Sequence, residues 1–284
     1  MTTSASCPVP AYTITRHGDL ALASVPGKMD DCTLCRGTGL SLSIVVRDGK
    51  EYEVAHPCNR RTLEARLAKF NAANIPAALS HATFENFRPK DPEGDRARRT
   101  AQAFALGWPA SRGFVLSGPV GTGKSHLLAA ALRAVTLERG VSAAYVEISL
   151  LFQTIRRGFD QGKSSGEIIE PLAKVELLAI DEIGKGRGSV FELETLDELI
   201  ARRYNAGRVT LFATNYSLVP PELRPARTGY SSSEDRKEAG RESRLLCDRV
   251  GDRIYSRLCE LCDFVELPLD TPDHRRVSQA QRAR

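Results

Sequence analysis

The sequence predicts an α/β fold, a five-stranded parallel sheet with flanking helices, preceded by a small metal-binding N-terminal domain. Three observations predict it. From Gly113 onward short apolar strands alternate with helix-length segments, a glycine-rich loop follows the first of those strands, and four of the seven cysteines fall within the first 75 residues. At 284 residues the chain has room for one sizeable domain and a smaller one. Its 42% apolar and 26% charged residues are ordinary for a globular protein. Runs such as LLAAAL and VELLAI fall far short of the roughly 20 residues of a membrane span, so no membrane association is expected. The opening MTTSASCPVPAYTITRHGDL has no basic start followed by an apolar block, which makes a secretory leader unexpected and the cytoplasm the expected location.

The elements follow in order. Residues 1–75 are expected to form a zinc-binding domain. CTLCRGTG (Cys32 to Gly39) lets two thiolates grip one metal from a tight turn, and HPC (His56 to Cys58) brings the second half. Cys32, Cys35 and Cys58 are the expected zinc ligands, with His56 as the fourth and Cys7 or His17 as substitutes. Gly37 and Gly39 free N–H groups to bond sulfur. The stretch between, SLSIVVRDGKEYEVA, reads as a hairpin about Asp48-Gly49 that folds the two halves together. In a chain without a leader the reducing compartment favours metal over disulfides for such cysteines. A basic amphipathic stretch, RRTLEARLAKFNAANIP, then ends at Pro76.

Residues 76–112 read as a linker with a charged leading helix, residues 113–276 as the main domain, and 277–284 as a basic tail. Strands are expected at GFVLS, AAYVEI, VELLAI, RVTLFAT and DFVELP. Helices are expected at Lys124–Arg139, Leu150–Phe159, Phe191–Tyr204 and Leu245–Leu261. Continuous apolar strands separated by helices require a parallel sheet covered on both faces, with the loops after the strand ends aligned along one edge. RPARTGYSSSEDRKEAGRES, residues 224–243, has almost no apolar content and reads as an insertion. Cys259 and Cys262 form a further CxxC without a second half, and read as small buried apolar residues.

The chemistry lies in the core. Gly118-Pro119-Val120-Gly121-Thr122-Gly123-Lys124-Ser125 fits the P-loop pattern in full, with a strand before it and a helix after it. Its backbone N–H groups would wrap a β-phosphate at the positive end of the helix, Lys124 would reach the β/γ-phosphates of ATP, and His126 is counted with the nucleotide contacts. Ser125 would supply a hydroxyl to Mg²⁺. LLAIDEIG ends a strand with Asp181, which would hold Mg²⁺ through water, and Glu182, which would polarise the water attacking the γ-phosphate. Thr214 and Asn215 end the next strand, where a polar side chain would position that water. Arg249, Arg253 and Arg257 lie at i, i+4 and i+8, one face of a helix, from which an arginine could reach a neighbouring molecule's phosphate. Tyr145, Phe152 and Phe159 are candidates for stacking on single-stranded DNA, with core packing the alternative. The net charge of +5 and nine Lys/Arg against six Asp/Glu between Arg224 and Arg257 fit contact with nucleic acid without establishing it.

This order of strand and P-loop, strand and Asp-Glu, strand and Thr-Asn, then arginine helix resembles the AAA+ ATPases. Within them FENF, GTGKSHLLAAAL, LLAIDEIG, ARRYNAG before VTLFATNYSL, and GDRIYSRL followed by LDTPDHR resemble the DnaC/DnaI/IstB group, over about residues 80 to 276. The resemblance implies that Thr214-Asn215 is the first sensor, that Arg257 (with Arg253 second) is the arginine finger, and that Arg275 is the late sensor arginine contacting nucleotide. The closing motif lacks the family's usual glycine. The function implied is an ATP-dependent helicase loader in DNA replication initiation. It would bind a replicative helicase through the zinc domain, contact single-stranded DNA, self-assemble with ATP and let go on hydrolysis. The alternatives are a transposition helper ATPase of the IstB type, acting on double-stranded DNA with a transposase, and an ATP-gated adaptor.

Overall fold

A computed structural model of the chain describes residues 11–26, 32, 35–89, 91–110, 112–186, 188–218, 245–271 and 273. Cys7, Arg275, the stretch 224–243 and the tail 277–284 lie outside the described residues. The chain divides into two compact units, residues 1–81 with 133–142 and residues 82–132 with 143–284. Among the described residues no helix is long and apolar enough to cross a membrane.

In the first unit, strands β1 (Thr13–His17) and β2 (Leu20–Ser24) pair antiparallel. Strands β3 (Leu40–Arg47) and β4 (Lys50–Pro57) form a second hairpin. Its turn is Asp48-Gly49, with φ of 51° and 72°, the pair of positive values whose twist matches the flanking strands. Helix α1 (Asn59–Ala72) buries Leu63, Leu67 and Phe70, one face of its cylinder. The Asn71 carboxamide closes on the backbone of Ala23, accepting from its N–H at 2.7 Å and donating to its carbonyl at 3.0 Å.

The second unit begins with the FENF segment and α2 (Pro92–Gly107), whose first turn is capped by Asp91 Oδ1 accepting from the Gly94 N–H at 2.6 Å. Five strands follow: β5 (Gly113–Ser117), β6 (Ala143–Glu147), β7 (Leu177–Asp181), β8 (Val209–Thr214) and β9 (Cys262–Glu266). They are the five expected, all parallel, in the order β6-β7-β8-β5-β9. Every residue of β5 and β7 is buried, as a sheet covered on both faces requires. The P-loop strand β5 thus stands beside β8, and β8 beside β7. The C-terminal ends of these three strands meet along one edge.

Helices α3 (Lys124–Arg139), α4 (Ile148–Asp160), α5 (Ser165–Lys174), α6 (Val190–Asn205), α7 (Leu246–Val250) and α8 (Asp252–Leu261) flank the sheet. Three of them, α5, α7 and α8, differ from expectation. Helix α5 was not expected, although Ser164 and Glu167 form a capping box at its start and leave a readable S-x-x-E signature. The helix expected over Leu245–Leu261 is two helices, because Gly251 takes φ 81° and ψ 156°, a conformation that glycine reaches far more readily than other residues. Cys259 is exposed rather than buried, while Cys262 is in the core.

Arg203, in the ARRYNAG segment of α6, is 1% exposed. Its guanidinium donates to Thr210 Oγ1 and the carbonyls of Leu172 and Val175, each at 2.8 Å, and to those of Glu176 and Val209. It therefore caps the C-terminal carbonyls of α5 and ties them to the start of β8. Burial, and then neighbouring Arg208, push its pKa down to about 9, which leaves it cationic at neutral pH. Arg203→Met is expected to lower the unfolding free energy by roughly 3 kcal/mol or more, since each buried carbonyl left without a donor costs about 1–3 kcal/mol. A urea midpoint unchanged from wild type would refute that role.

Candidate nucleotide site and cysteine centre

The loop after β5 turns on three glycines with positive φ, 145° at Gly118, 83° at Gly121 and 93° at Gly123. Its close quarters also require glycine: a Cβ on Gly123 would lie 2.5 Å from Phe87 Cε2, and one on Gly118 would lie 2.6 Å from Leu267 Cβ. FENF, legible only as a family likeness, is thus the floor against which the P-loop packs. His126, on the first turn of α3, meets the Thr83 carbonyl through Nε2 at 2.8 Å and stacks obliquely on Phe87. Lys124 is buried, and its Nζ donates to the loop's own carbonyls, Gly118 at 2.7 Å and Pro119 at 2.6 Å. Thr122 Oγ1 also donates to Pro119 O, at 3.0 Å. Val120 stands out at the tip of the loop, 57% exposed.

Asp181 ends β7 with its carboxylate buried. Oδ1 accepts the Glu182 N–H at 2.9 Å, and Oδ2 accepts the Tyr145 hydroxyl. The Tyr145 phenol thus holds one of the two expected Mg²⁺ ligands from behind. Burial, and then the Asp181 charge, push the phenol's pKa up. The donors fit a hard cation, a hydroxyl and a carboxylate on facing elements.

Glu182 has φ 56°, unusual for a residue with a Cβ. Its carboxylate pairs with Lys185, whose Nζ also reaches Glu147 Oε1 at 3.2 Å. Burial raises the pKa of Glu182 above the ordinary carboxylate value, against the opposing pull of Lys185. Thr214 Oγ1 donates to Ile183 O at 2.7 Å and so pins the end of β8 to the end of β7, leaving Asn215 exposed just beyond. Sequence reasoning missed Glu147 and Lys185, and offered Tyr145 only as a DNA-stacking candidate. The strand period was the available signal, since Tyr145 and Glu147 at i and i+2 share a face of β6. Tyr145 and Phe152 are only 8% and 4% exposed, which excludes base stacking by either, whereas Phe159 is 47% exposed and rests edge-on against Phe191.

The three arginines do not share one helix face, because the break at Gly251 separates Arg249 from the others. Arg249 donates to the carbonyls of Gly184 at 3.1 Å and Gly186 at 2.6 Å and covers the Tyr216 ring. Arg257 is held by Asp197 at 2.5 Å and lies over Tyr204, with 18% of its side chain exposed. Arg253 reaches the same Asp197 at 3.4 Å but is 74% exposed.

In the first unit Cys32, Cys35 and Cys58 are buried together, with their sulfur atoms all within 4.8 Å of one another. The Arg36 N–H donates to Cys32 O at 2.8 Å, which forms the knuckle. Backbone N–H groups of Gly39 and Gly37 reach the Cys35 sulfur. Burial raises the Cys35 thiol's pKa, and the neighbouring Cys58 and Cys32 add to the rise. Cys58 precedes α1 as its cap residue. Three convergent thiols with N–H donors to sulfur fit zinc. His56 is not gathered with them: it lies on exposed β4, its Nε2 bonded to Ser43 Oγ at 2.9 Å. His17, on β1, is likewise exposed and outside the cluster.

Comparison with known proteins fits this geometry. The family model described as IstB-like ATP binding protein matches residues 51–219, more than half of the chain. The replicative helicase loader DnaC of Escherichia coli (strain K12) is 29% identical over 151 residues, covering 52% of this chain and 61% of that protein. The putative ATP-binding protein Rv3427c in insertion sequence, from Mycobacterium tuberculosis (strain ATCC 25618 / H37Rv), is 31% identical over 159 residues, 54% of this chain and 58% of that one. The chain thus spans about three fifths of the length of these curated relatives. The crystal structure of the DnaC helicase loader superposes with a TM-score of 0.55 at 22% identity, over 67% of this chain and 99% of that one, which shows a common fold. With the P-loop, the Asp-Glu strand end and the parallel sheet in place, the chain belongs to the IstB-like ATP-binding protein family and is a DnaC/IstB-like AAA+ ATPase.

Proposed function

We propose that this protein is an ATP-dependent loader of a replicative helicase in the initiation of DNA replication. The observation that carries the reading is the pairing of an ATP site of DnaC type with a separate three-cysteine unit. When bound, Mg²⁺ would neutralise charge on the β- and γ-phosphates. Lys124 exchanges its loop carbonyls for those phosphates, and Ser125 and Asp181 hold the cation. Glu182 accepts a proton from the attacking water, which Asn215 orients. Arg253 and Arg257, both on Asp197, supply the arginine that reaches a neighbouring copy, and the more exposed Arg253 is the better placed. Cys32, Cys35 and Cys58 would hold a zinc ion that keeps the N-terminal unit in shape, the protein self-assembles with ATP on single-stranded DNA in the cytoplasm, and hydrolysis releases it.

The helicase-binding surface on this reading is the open face of β3. Leu40, Leu42, Ile44 and Val46 alternate along it and are 49–63% exposed. Glu53 and Glu51 stand directly opposite Ile44 and Val46. Such a stripe suits an apolar surface on the helicase rimmed by basic residues. Ile44→Asp is expected to weaken the complex roughly tenfold or more.

Mass photometry of the protein with a replicative helicase, with and without ATP, tests both. A complex lost in Ile44→Asp and dissociating on hydrolysis supports the loader. A second reading, a transposition helper, is favoured by the insertion-sequence relative. It predicts no helicase complex and ATP-dependent coating of double-stranded DNA.

A further inference from the structure

Tyr145 is 8% exposed at the centre of β6, and its hydroxyl does not point into empty space. It donates to Asp181 Oδ2. The other oxygen of Asp181 is taken by the Glu182 N–H at 2.9 Å. Both carboxylate oxygens therefore have a fixed donor, and the plane of the group is set before any cation arrives. Parallel pairing of β6 with β7 supplies the alignment, with Tyr145 in register with Ala179 and Glu147 with Asp181. The phenol is carried on a strand, not on a long flexible side chain, and its ring packs in the core. Ordering the Asp181 carboxylate thus costs little at the moment of binding.

We infer that Tyr145 is a positioning residue of the cation site, its hydroxyl holding Asp181 in the orientation at which it takes Mg²⁺ with the nucleotide. The inference rests on the proposed ATP reading of the site. It gives Tyr145 no contact with the reacting atoms. Partners that hold a ligating carboxylate from behind are worth about 10–100-fold in metal affinity.

The test is Tyr145→Phe, which keeps the ring and removes the oxygen. Binding of a fluorescent ATP analogue is measured first in EDTA and then, at fixed nucleotide, across a Mg²⁺ titration. The expected result is unchanged metal-free nucleotide affinity, which also reports an intact fold, and a Mg²⁺ half-saturation raised about tenfold. Combining Tyr145→Phe with Asp181→Asn should raise it by less than the product of the single effects, because Tyr145 acts through Asp181. If Tyr145→Phe loses the metal-free affinity, Tyr145→Leu takes its place in the same titration. A half-saturation equal to wild type, or fully multiplicative effects in the double variant, would overturn the inference. A wild-type protein whose nucleotide binding ignores Mg²⁺ would instead overturn the ATP reading itself, so the two failures are distinguishable.

Discussion

Glu182→Gln is expected to stop turnover while leaving ATP bound. Removal of a general base typically costs about 10²–10⁴-fold in rate, and the change is isosteric, so the P-loop and Asp181 contacts persist. The structure sharpens the expectation in two ways. The left-handed backbone at Glu182, φ 56°, and the Glu182 N–H donated to Asp181 Oδ1 fix where the side chain leaves the strand end. Lys185, shared with Glu147, then holds the carboxylate by charge, and an amide keeps only part of that hold. Phosphate release and nucleotide affinity measured on the same preparation decide the matter. Turnover within threefold of wild type would remove Glu182 from the role of base, and Glu147, the other carboxylate on Lys185, would be the next residue to test. On the loader reading this variant also accumulates with the helicase in ATP, whereas an adaptor would behave as wild type.

The second large effect is expected from Cys58→Ser. Structural zinc contributes about 10–16 kcal/mol of apparent folding free energy in small zinc domains at neutral pH. The first unit has little else to hold the knuckle: β3 and β4 form a two-stranded sheet with its aliphatic stripe exposed, and such hairpins are marginal alone. Cys58 heads α1 without a side-chain cap bond, and serine is itself a favoured cap residue, so the effect expected is that of the lost thiolate ligand. The expected outcome is one zinc per chain by mass spectrometry in wild type and none in the variant. The unit's unfolding transition should fall to low temperature while nucleotide binding by the other unit remains. EDTA should reproduce the effect on wild type. Zinc-free wild-type protein with an unchanged melt would mean that the three cysteines are packed thiols.

Much of the ATP site was legible because its chemistry is local. A P-loop needs contiguous residues, a strand before and a helix after, and Asp181-Glu182 needs only a strand to end on. The type I′ turn at Asp48-Gly49 was legible for the same reason, since positive φ at two adjacent positions selects for those residues. Cys32, Cys35 and Cys58 were legible from spacing plus that turn. Where the reading departed, a single residue or a long-range contact decided. Gly251 broke a helix whose arginine spacing looked continuous, because spacing records residue positions and not the φ of the residue between them. His56 satisfied the zinc pattern by composition, yet strand geometry gave its ring to Ser43. Arg203 entered only within ARRYNAG, as a family likeness, although five acceptors from α5, the segment after it and β8 make it a buried clamp.

The sequence by itself determined the parallel α/β core, the P-loop, the strand-end carboxylates and the three thiols, since each is written in neighbouring residues and in the period of apolar positions. Only the tertiary structure decided which strands stand beside β5, that Phe87 supports Gly123, and that Tyr145 holds Asp181. Those are contacts between segments far apart in the chain, fixed by sheet order and close packing, and no local spacing encodes them.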